Sequence, residues 1–162
     1  MHTGAVVAAS LLLAAACWTD MRTMRIPNRL NVAFAVSGIV YQLACFGYRG
    51  LVFAIFGAVA GIVPLYILFL LRGMGGGDVK WFGAFGTWMG ALTTLRLMLY
   101  AIVAAGVIAG ALLLMRLPLL RRMGRRLKWP WGRHPVTEGR GAAFPFMLAV
   151  APGFLMLLGE GW

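Results

Sequence analysis

Acidic residues are scarce in this chain of 162 residues, whose only carboxylates are Asp20, Asp78, Glu138 and Glu160. Glu160 is near the C-terminal end of the sequence, and Glu138 falls in a strongly basic connection. Asp20 and Asp78 are therefore the acids near the ends of long apolar runs. Acid–base chemistry in the membrane region has to use these two side chains.

Other reactive groups are few as well. There are two histidines, His2 and His134, two serines outside any nucleophile-elbow sequence, and two cysteines, Cys17 and Cys45. The cysteines form neither a CxxC pair nor a zinc-type spacing, and we expect them to be small apolar residues inside helices. The sequence thus predicts no metal site, no other cofactor and no serine or cysteine nucleophile.

Apolar residues dominate what remains: 62% of the chain is hydrophobic and 12% is charged. This balance is typical of a membrane protein rather than a soluble domain. Cutting the sequence at every charged residue leaves long runs, five of which approach the ~20 residues that a membrane-spanning helix needs. The runs are 1–19, 30–48, 50–71, 81–95, 97–115 and 141–159.

Only Arg96 separates the fourth run from the fifth, so 81–115 is either one crossing or two. A single helix would be roughly 50 Å long against a hydrocarbon core of about 30 Å, which favours two crossings with a turn near 90–94. We therefore predict one all-α domain over 1–162, a polytopic six-helix bundle. Its spans are about 2–19, 30–48, 51–71, 78–94, 97–115 and 141–159.

The net charge of +11 is unevenly distributed. Of fifteen Lys and Arg, thirteen lie in the first, third and fifth connections, and only Arg49 and Arg96 lie in the second and fourth. By the positive-inside rule, the odd connections are cytoplasmic and both termini lie outside the cytoplasmic (inner) membrane. Because the basic residues follow the membrane topology in this way, their distribution predicts no nucleic-acid partner. Basic residues beside Trp129 and Trp131 instead suit the anionic headgroups of the bilayer, with substrate docking as the alternative role.

Asp20 and Asp78 fall on the same, cytoplasmic side in this topology. If the bundle brings the two carboxyls together, they can share a proton: the ionised one takes a proton from water, and the protonated one donates to a peptide carbonyl. The alternative is structural, with Asp20 paired to Arg22 or Arg25 and Asp78 paired to Lys80. Aspartates in this position are costly unless they have a partner or a cavity.

A glycine-rich segment, 73–77, directly precedes Asp78. We expect a loop or broken helix in which Gly75, Gly76 and Gly77 adopt positive φ and let a substrate strand approach closely. A flexible hinge would have the same composition. Upstream, Pro27 is expected in the first turn of the second span, which would begin between Ile26 and Arg29.

These two segments resemble motifs of one family. Gly75-Gly76-Gly77-Asp78 matches the GxGD signature of membrane aspartic proteases, and the stretch 73–80 resembles the GMGxGDxK form of type IV prepilin peptidases, which ends in Lys80. Asp20 followed by Ile26-Pro27-Asn28 is similar to the first motif of that family. The chain is similar to short forms in Flp or tight-adherence pilus systems and to archaeal preflagellin peptidases.

The resemblance implies that Asp20 and Asp78 are catalytic and that Pro27, Asn28, Gly75, Gly76, Gly77 and Lys80 contribute to the site. It also implies cleavage of the basic leader peptide of a prepilin or pseudopilin. The N-terminal cysteine-containing domain of long members is missing, so N-methylation of the product is not implied. A proton-coupled transporter and a non-catalytic pilus assembly factor remain as alternative functions.

Overall fold

The computed structural model describes residues 3–115, 117 and 144–160. Within these ranges the chain is helical and contains no strand, which confirms the all-α class. Three helices are long and apolar enough to cross a membrane, and the fourth is shorter and also apolar. The helices are α1 (Thr3–Thr23), α2 (Asn28–Leu70), α3 (Gly76–Leu114) and α4 (Met147–Gly159).

Helix α2 folds back on itself at Gly47, where the backbone leaves the helical region with φ 59° and ψ −141°. Before this break α2 runs parallel to α3, since Asn31 bonds Gly77 and Gln42 bonds Trp88. After it α2 runs antiparallel to α3, with Gly57 beside Gly86 and Gly61 beside Phe82. The two halves of α2 are therefore antiparallel to each other.

Helix α3 reverses in the same way at Gly90, with φ 77° and ψ 175°. Its first half runs alongside α4 in the same direction, because Phe82 contacts Phe146 and Phe85 contacts Phe154. Its second half runs the opposite way. Tyr100 contacts Gly153, while Ala109 lines the same groove as Phe146.

Both reversals occur where the sequence predicts connections, near Arg49 and at 90–94. How many segments cross the bilayer stays a prediction. The predicted sixth span, 141–159, begins later as a helix: Phe144 to Phe146 are not helical, and α4 starts at Met147. The basic connection between 116 and 140 lies outside the described residues, apart from Leu117.

The reversals define two ends of the bundle. The start of α1 lies at the end that holds the Gly47 and Gly90 turns, since Ala5 lines one cavity with Phe46 and Trp88. The opposite end holds the C-terminal part of α1, the start of α3 and the start of α4. Between them lies an aromatic core in which Trp81, Phe82 and Phe85 are fully buried.

Helices α2 and α3 approach so closely that only glycine fits at their crossing. A Cβ added at Gly57 would collide with the carbonyl oxygen of Gly86, and one added at Gly61 would collide with that of Phe82. Small residues of this kind permit backbone-to-backbone packing of apolar helices, where dispersion contacts drive association. The contact holds the first half of α3, and hence Asp78, in place.

Helix α2 ends in a C-terminal capping motif directly before the glycine-rich segment. Gly73 N–H bonds Leu68 O at 2.9 Å and Arg72 N–H bonds Phe69 O at 2.9 Å. This is the Schellman pattern, which requires a left-handed residue directly after the helix. Arg72 takes that conformation with φ 58°, and the segment 73–75 follows outside any helix.

Candidate functional site

Asp20 lies in the last turn of α1 and is buried, with 5% of its surface exposed. Its Oδ2 accepts a hydrogen bond of 3.0 Å from the backbone N–H of Met147. Met147 is the first residue of α4, and the unpaired N–H groups of a helix start favour a neighbouring negative charge. The hydrogen bond from the start of α4 therefore positions the Asp20 carboxylate.

Asp78 lies in the first turn of α3, three residues after its N-cap, Gly75. The expected loop is present over 73–75, but Gly76 and Gly77 already belong to the helix. The expectation of positive φ at Gly75, Gly76 and Gly77 is wrong. Gly75 is extended with φ −76° and ψ 141°, and positive φ occurs among the described glycines only at Gly47 and Gly90.

The glycines before Asp78 matter through their size, and to different degrees. A Cβ at Gly75 would lie 3.0 Å from Oδ2 of Asp78, which is closer than the carboxylate can accept without moving. A Cβ at Gly76 would lie 3.3 Å from the Phe69 ring, and one at Gly77 would lie 3.6 Å from Ile26, an ordinary contact. The tightest constraint is therefore at Gly75.

The structure brings the Ile26-Pro27-Asn28 segment against the glycine segment. Helix α2 begins at Asn28, within the predicted range, so Pro27 is its N-cap rather than part of its first turn. Asn28 Oδ1 accepts a 3.0 Å hydrogen bond from Lys80 Nζ. One turn later, the buried Asn31 donates from Nδ2 to the carbonyl oxygen of Gly77 at 3.2 Å. The start of α2 and the start of α3 are thus joined by two side-chain hydrogen bonds.

These contacts test the alternative in which the two aspartates only form ion pairs with nearby basic side chains. Lys80, the expected partner of Asp78, is bonded to Asn28 instead. The guanidinium of Arg22, an expected partner of Asp20, lies over the Trp18 ring with Cζ 4.2 Å from its centroid, while Asp20 bonds the α4 backbone. The described contacts therefore do not support an ion-pair role for these aspartates.

Both aspartates border the start of α4. Asp20 bonds Met147, and the neighbouring Phe146 lines a groove that also contains Asp78. The two carboxyls are close enough to interact electrostatically. Among the described residues no three His, Cys, Asp or Glu side chains group as metal ligands.

The groove beside Asp78, called here the Asp78 groove, has a volume of about 460 Å³. One wall is the end of α2 with the segment that follows it, and the other is the second half of α3. Among the described lining residues, all side chains other than that of Asp78 are apolar. The lining residues are Leu68, Gly73, Met74, Gly75, Asp78, Ile102, Ala105, Gly106, Ala109, Phe144 and Phe146.

Two contributors to the site are missing from the sequence-based prediction. Asn31 could have been found, because a buried amide within an apolar helix is costly and usually has a partner. The Met147 N–H could not, since it is a backbone group whose role depends on where α4 docks. The Asp78 groove depends on the same docking and on the reversal at Gly90.

Comparison with known proteins found one family. A family model described as the type IV leader peptidase family matches residues 7–110, which is more than half of the chain and includes both Asp20 and Asp78. The match ends before α4, the helix that bonds Asp20. The search of curated proteins and the search of solved structures each returned no match.

Proposed function

The chain belongs to the type IV leader peptidase family, and on this basis we propose that it is an aspartic endopeptidase in which Asp20 and Asp78 together activate a water molecule. The family is membrane-bound, and the three long apolar helices of this chain fit such a setting. A prepilin-type peptidase role follows from the family. The aspartic mechanism and the substrate are our proposals.

One observation supports the mechanism: the only two aspartates of the chain both border the start of α4, at one end of the bundle. They lie on different helices, α1 and α3. Two negative charges that are close enough to interact repel each other, and the repulsion is relieved when the pair retains a proton. A shared proton is what an acid–base pair requires.

The reaction divides between the two carboxyls. The ionised carboxylate takes a proton from water as the water oxygen bonds to the scissile carbonyl carbon, and the protonated carboxyl donates its proton to the carbonyl oxygen. The tetrahedral intermediate then collapses: the newly protonated carboxyl gives its proton to the nitrogen, the C–N bond breaks, and a hydroxyl of the intermediate returns its proton to the other carboxylate as the carbonyl re-forms. No metal or covalent intermediate takes part, and the pair ends with the one proton it began with.

The substrate we propose is the basic leader peptide of a prepilin or pseudopilin, cut at the cytoplasmic face of the inner membrane. Support comes from the family and from the positive-inside distribution, which assigns the Asp20 and Asp78 end to the cytoplasm. We also propose that the halves of α2 and α3, with α1 and the region of α4, form six crossings with both termini outside.

The proposal is tested by incubating the purified protein in detergent with a prepilin and identifying both products by mass spectrometry. We expect a single internal cleavage that persists in a metal chelator and has a bell-shaped pH dependence, since two coupled carboxyls titrate as a unit. Complete inhibition by the chelator, with recovery on adding metal, would contradict the aspartic mechanism. Proton-driven flux in liposomes without cleavage would favour a transporter.

A further inference from the structure

A second cavity lies at the end of the bundle opposite the two aspartates, between the start of α1 and the reversals of α2 and α3. We call it the Arg49 cavity, because Arg49 is the only charged side chain among its described lining residues. Its volume of about 310 Å³ is at the lower end of the ~300–1,000 Å³ range of ligand sites. Most of the lining is apolar, so the cavity suits a ligand that carries both an apolar part and an anion.

Ring contacts and hydrogen bonds fix the walls of the Arg49 cavity. The Tyr41 and Trp88 rings stack with their centroids 5.1 Å apart, and Trp88 Nε1 donates to Phe34 O at 2.8 Å. The buried Gln42 donates from Nε2 to Trp88 O at 3.1 Å. These contacts hold the walls in place within the protein itself, so a ligand does not have to order them when it binds.

The cavity has a buried floor and an exposed mouth. Ala5 and Met89 on the floor are 4% and 2% exposed, whereas Phe46, Arg49 and Phe53 at the mouth are exposed. In the topology we propose, this end of the bundle lies at the outer leaflet, so acyl chains and phosphates are both within reach of the mouth. Lipid tails are as apolar as the cavity walls, so the apolar walls alone do not select one phospholipid over another. Selectivity has to come from Arg49.

The described part of the chain supplies no carboxylate partner for Arg49. Asp20 and Asp78 lie at the opposite end of the bundle. Glu160 accepts a hydrogen bond from the Tyr100 hydroxyl instead. A guanidinium binds phosphate through two parallel N–H···O bonds, and the bond is strengthened by the opposite charges. The cation of a zwitterionic headgroup offsets this attraction, so Arg49 favours a headgroup with net negative charge.

We propose that the Arg49 cavity binds an anionic phospholipid of the outer leaflet, with part of one acyl chain against the buried floor and the phosphate on Arg49. The site lies away from both aspartates, and the proposal does not depend on the peptidase function. A lipid held there contacts α1, α2 and α3 together. Its binding therefore stabilises the folded protein.

The test uses the full-length protein, delipidated in detergent and titrated with phosphatidylglycerol, with phosphatidylcholine of the same acyl chains, and with inorganic phosphate. Native mass spectrometry counts the bound lipids, and the shift in thermal unfolding gives the affinity. We expect a single phosphatidylglycerol to bind about tenfold more tightly than phosphatidylcholine, and phosphate alone to give no shift. Equal binding of the two lipids, no saturable binding of either, or an equal shift with phosphate alone would overturn the proposal.

Two pairs of variants locate the bound lipid. Arg49→Gln should reduce the preference for phosphatidylglycerol by about tenfold, while Arg96→Gln, the same change at an exposed arginine outside the cavity lining, should leave it unchanged. Ala5→Leu fills the floor and should weaken both lipids by about tenfold, whereas Ala14→Leu, at an exposed position of α1, should not. If Ala5→Leu does not fold, the arginine pair decides. Equal effects of a variant and its control would contradict the site.

Discussion

Asn31 and Gln42 are two buried amides that α2 directs at α3. Asn31 donates to Gly77 O at 3.2 Å, and Gln42 donates to Trp88 O at 3.1 Å. Their chemistry is the same, but only Asn31 is next to an aspartate. Comparing substitutions of Asn31 and Gln42 therefore distinguishes a general role in helix packing from a specific role in positioning Asp78.

We expect Asn31→Leu and Gln42→Met each to lose about 0.5–1.5 kcal/mol of stability, the net contribution of one hydrogen bond. Only Asn31→Leu should also lose activity, by roughly tenfold in kcat with little change in KM, because the first turn of α3 is then held less firmly. Thermal unfolding and steady-state kinetics in detergent measure the two effects. Equal loss of kcat in both variants would show that Asn31 acts through stability alone.

Gly75 and Gly77 are distinguished by the space around them. Gly75→Ala would bring its Cβ to 3.0 Å from the Asp78 carboxylate, whereas Gly77→Ala would make an ordinary 3.6 Å contact with Ile26. We expect Gly75→Ala to lower cleavage by roughly tenfold or more through displacement of that carboxylate, and Gly77→Ala to stay within a few-fold of wild type. Similar cleavage rates in the two variants would contradict the idea that a Cβ at Gly75 displaces the Asp78 carboxylate.

For single residues, the sequence predicted the candidate site best where the residue type is rare in the chain. Asp20 and Asp78 stand out because the chain has four carboxylates in all, and their motifs indicated Asn28 and Lys80, which the structure joins. The glycines were identified for the wrong physical reason, because sequence alone cannot distinguish a need for positive φ from a need for small size. Backbone donors such as Met147 N–H leave no sequence pattern.

Among the helices, α2 and α3 owe their shape to single glycines. Gly47 and Gly90 have backbone angles that are essentially restricted to glycine, φ 59° with ψ −141° and φ 77° with ψ 175°. Their surroundings differ: a Cβ at Gly47 meets nothing within 4 Å, while one at Gly90 would collide with the Phe53 ring. Substitution therefore adds steric overlap to backbone strain only at Gly90.

We predict that Gly47→Ala destabilises the protein by about 1–3 kcal/mol through backbone strain. Gly90→Ala should cost a further 1–3 kcal/mol or so, because Phe53 and its neighbours must move. Denaturant or thermal unfolding of both variants in the same detergent gives the comparison. An equally small effect at both positions would mean that the turn at Gly90 has room for a Cβ beside Phe53.

The sequence predicted the turn near Gly90 from length, since an uninterrupted helix over 81–115 would exceed the bilayer thickness. It predicted the connection near Gly47 from the charge of Arg49, which separates two apolar runs. It did not predict the Gly57 and Gly86 crossing, because the pairing of glycines on different helices depends on register. It predicted a span over 141–159 but did not show that Phe144 to Phe146 precede the helix. Phe144, Pro145 and Phe146 are apolar like the helix they precede, so hydropathy does not mark where α4 begins.

For the whole molecule, the expected topology puts the Asp20 end of the bundle in the cytoplasm and the Gly47 turn outside. Single cysteines at Thr23 and Tyr48, in a background that lacks Cys17 and Cys45, would report this. Both positions are exposed. We expect an impermeant thiol reagent to label Tyr48→Cys in intact cells and to label Thr23→Cys only after the membrane is permeabilised. The reverse pattern would contradict the orientation.

The central claim is that Asp20 and Asp78 act as one catalytic unit. Its most direct test is the conversion of prepilin to mature pilin on a gel, with wild type, Asp20→Asn, Asp78→Asn, the double variant and the carboxylate control Glu160→Gln in matched amounts. Each Asp→Asn change should abolish processing, because an amide neither accepts the proton from water nor shares one with its partner. The double variant should be scarcely worse than either single variant, and Glu160→Gln should process normally. Near wild-type processing by either single aspartate variant would contradict the account.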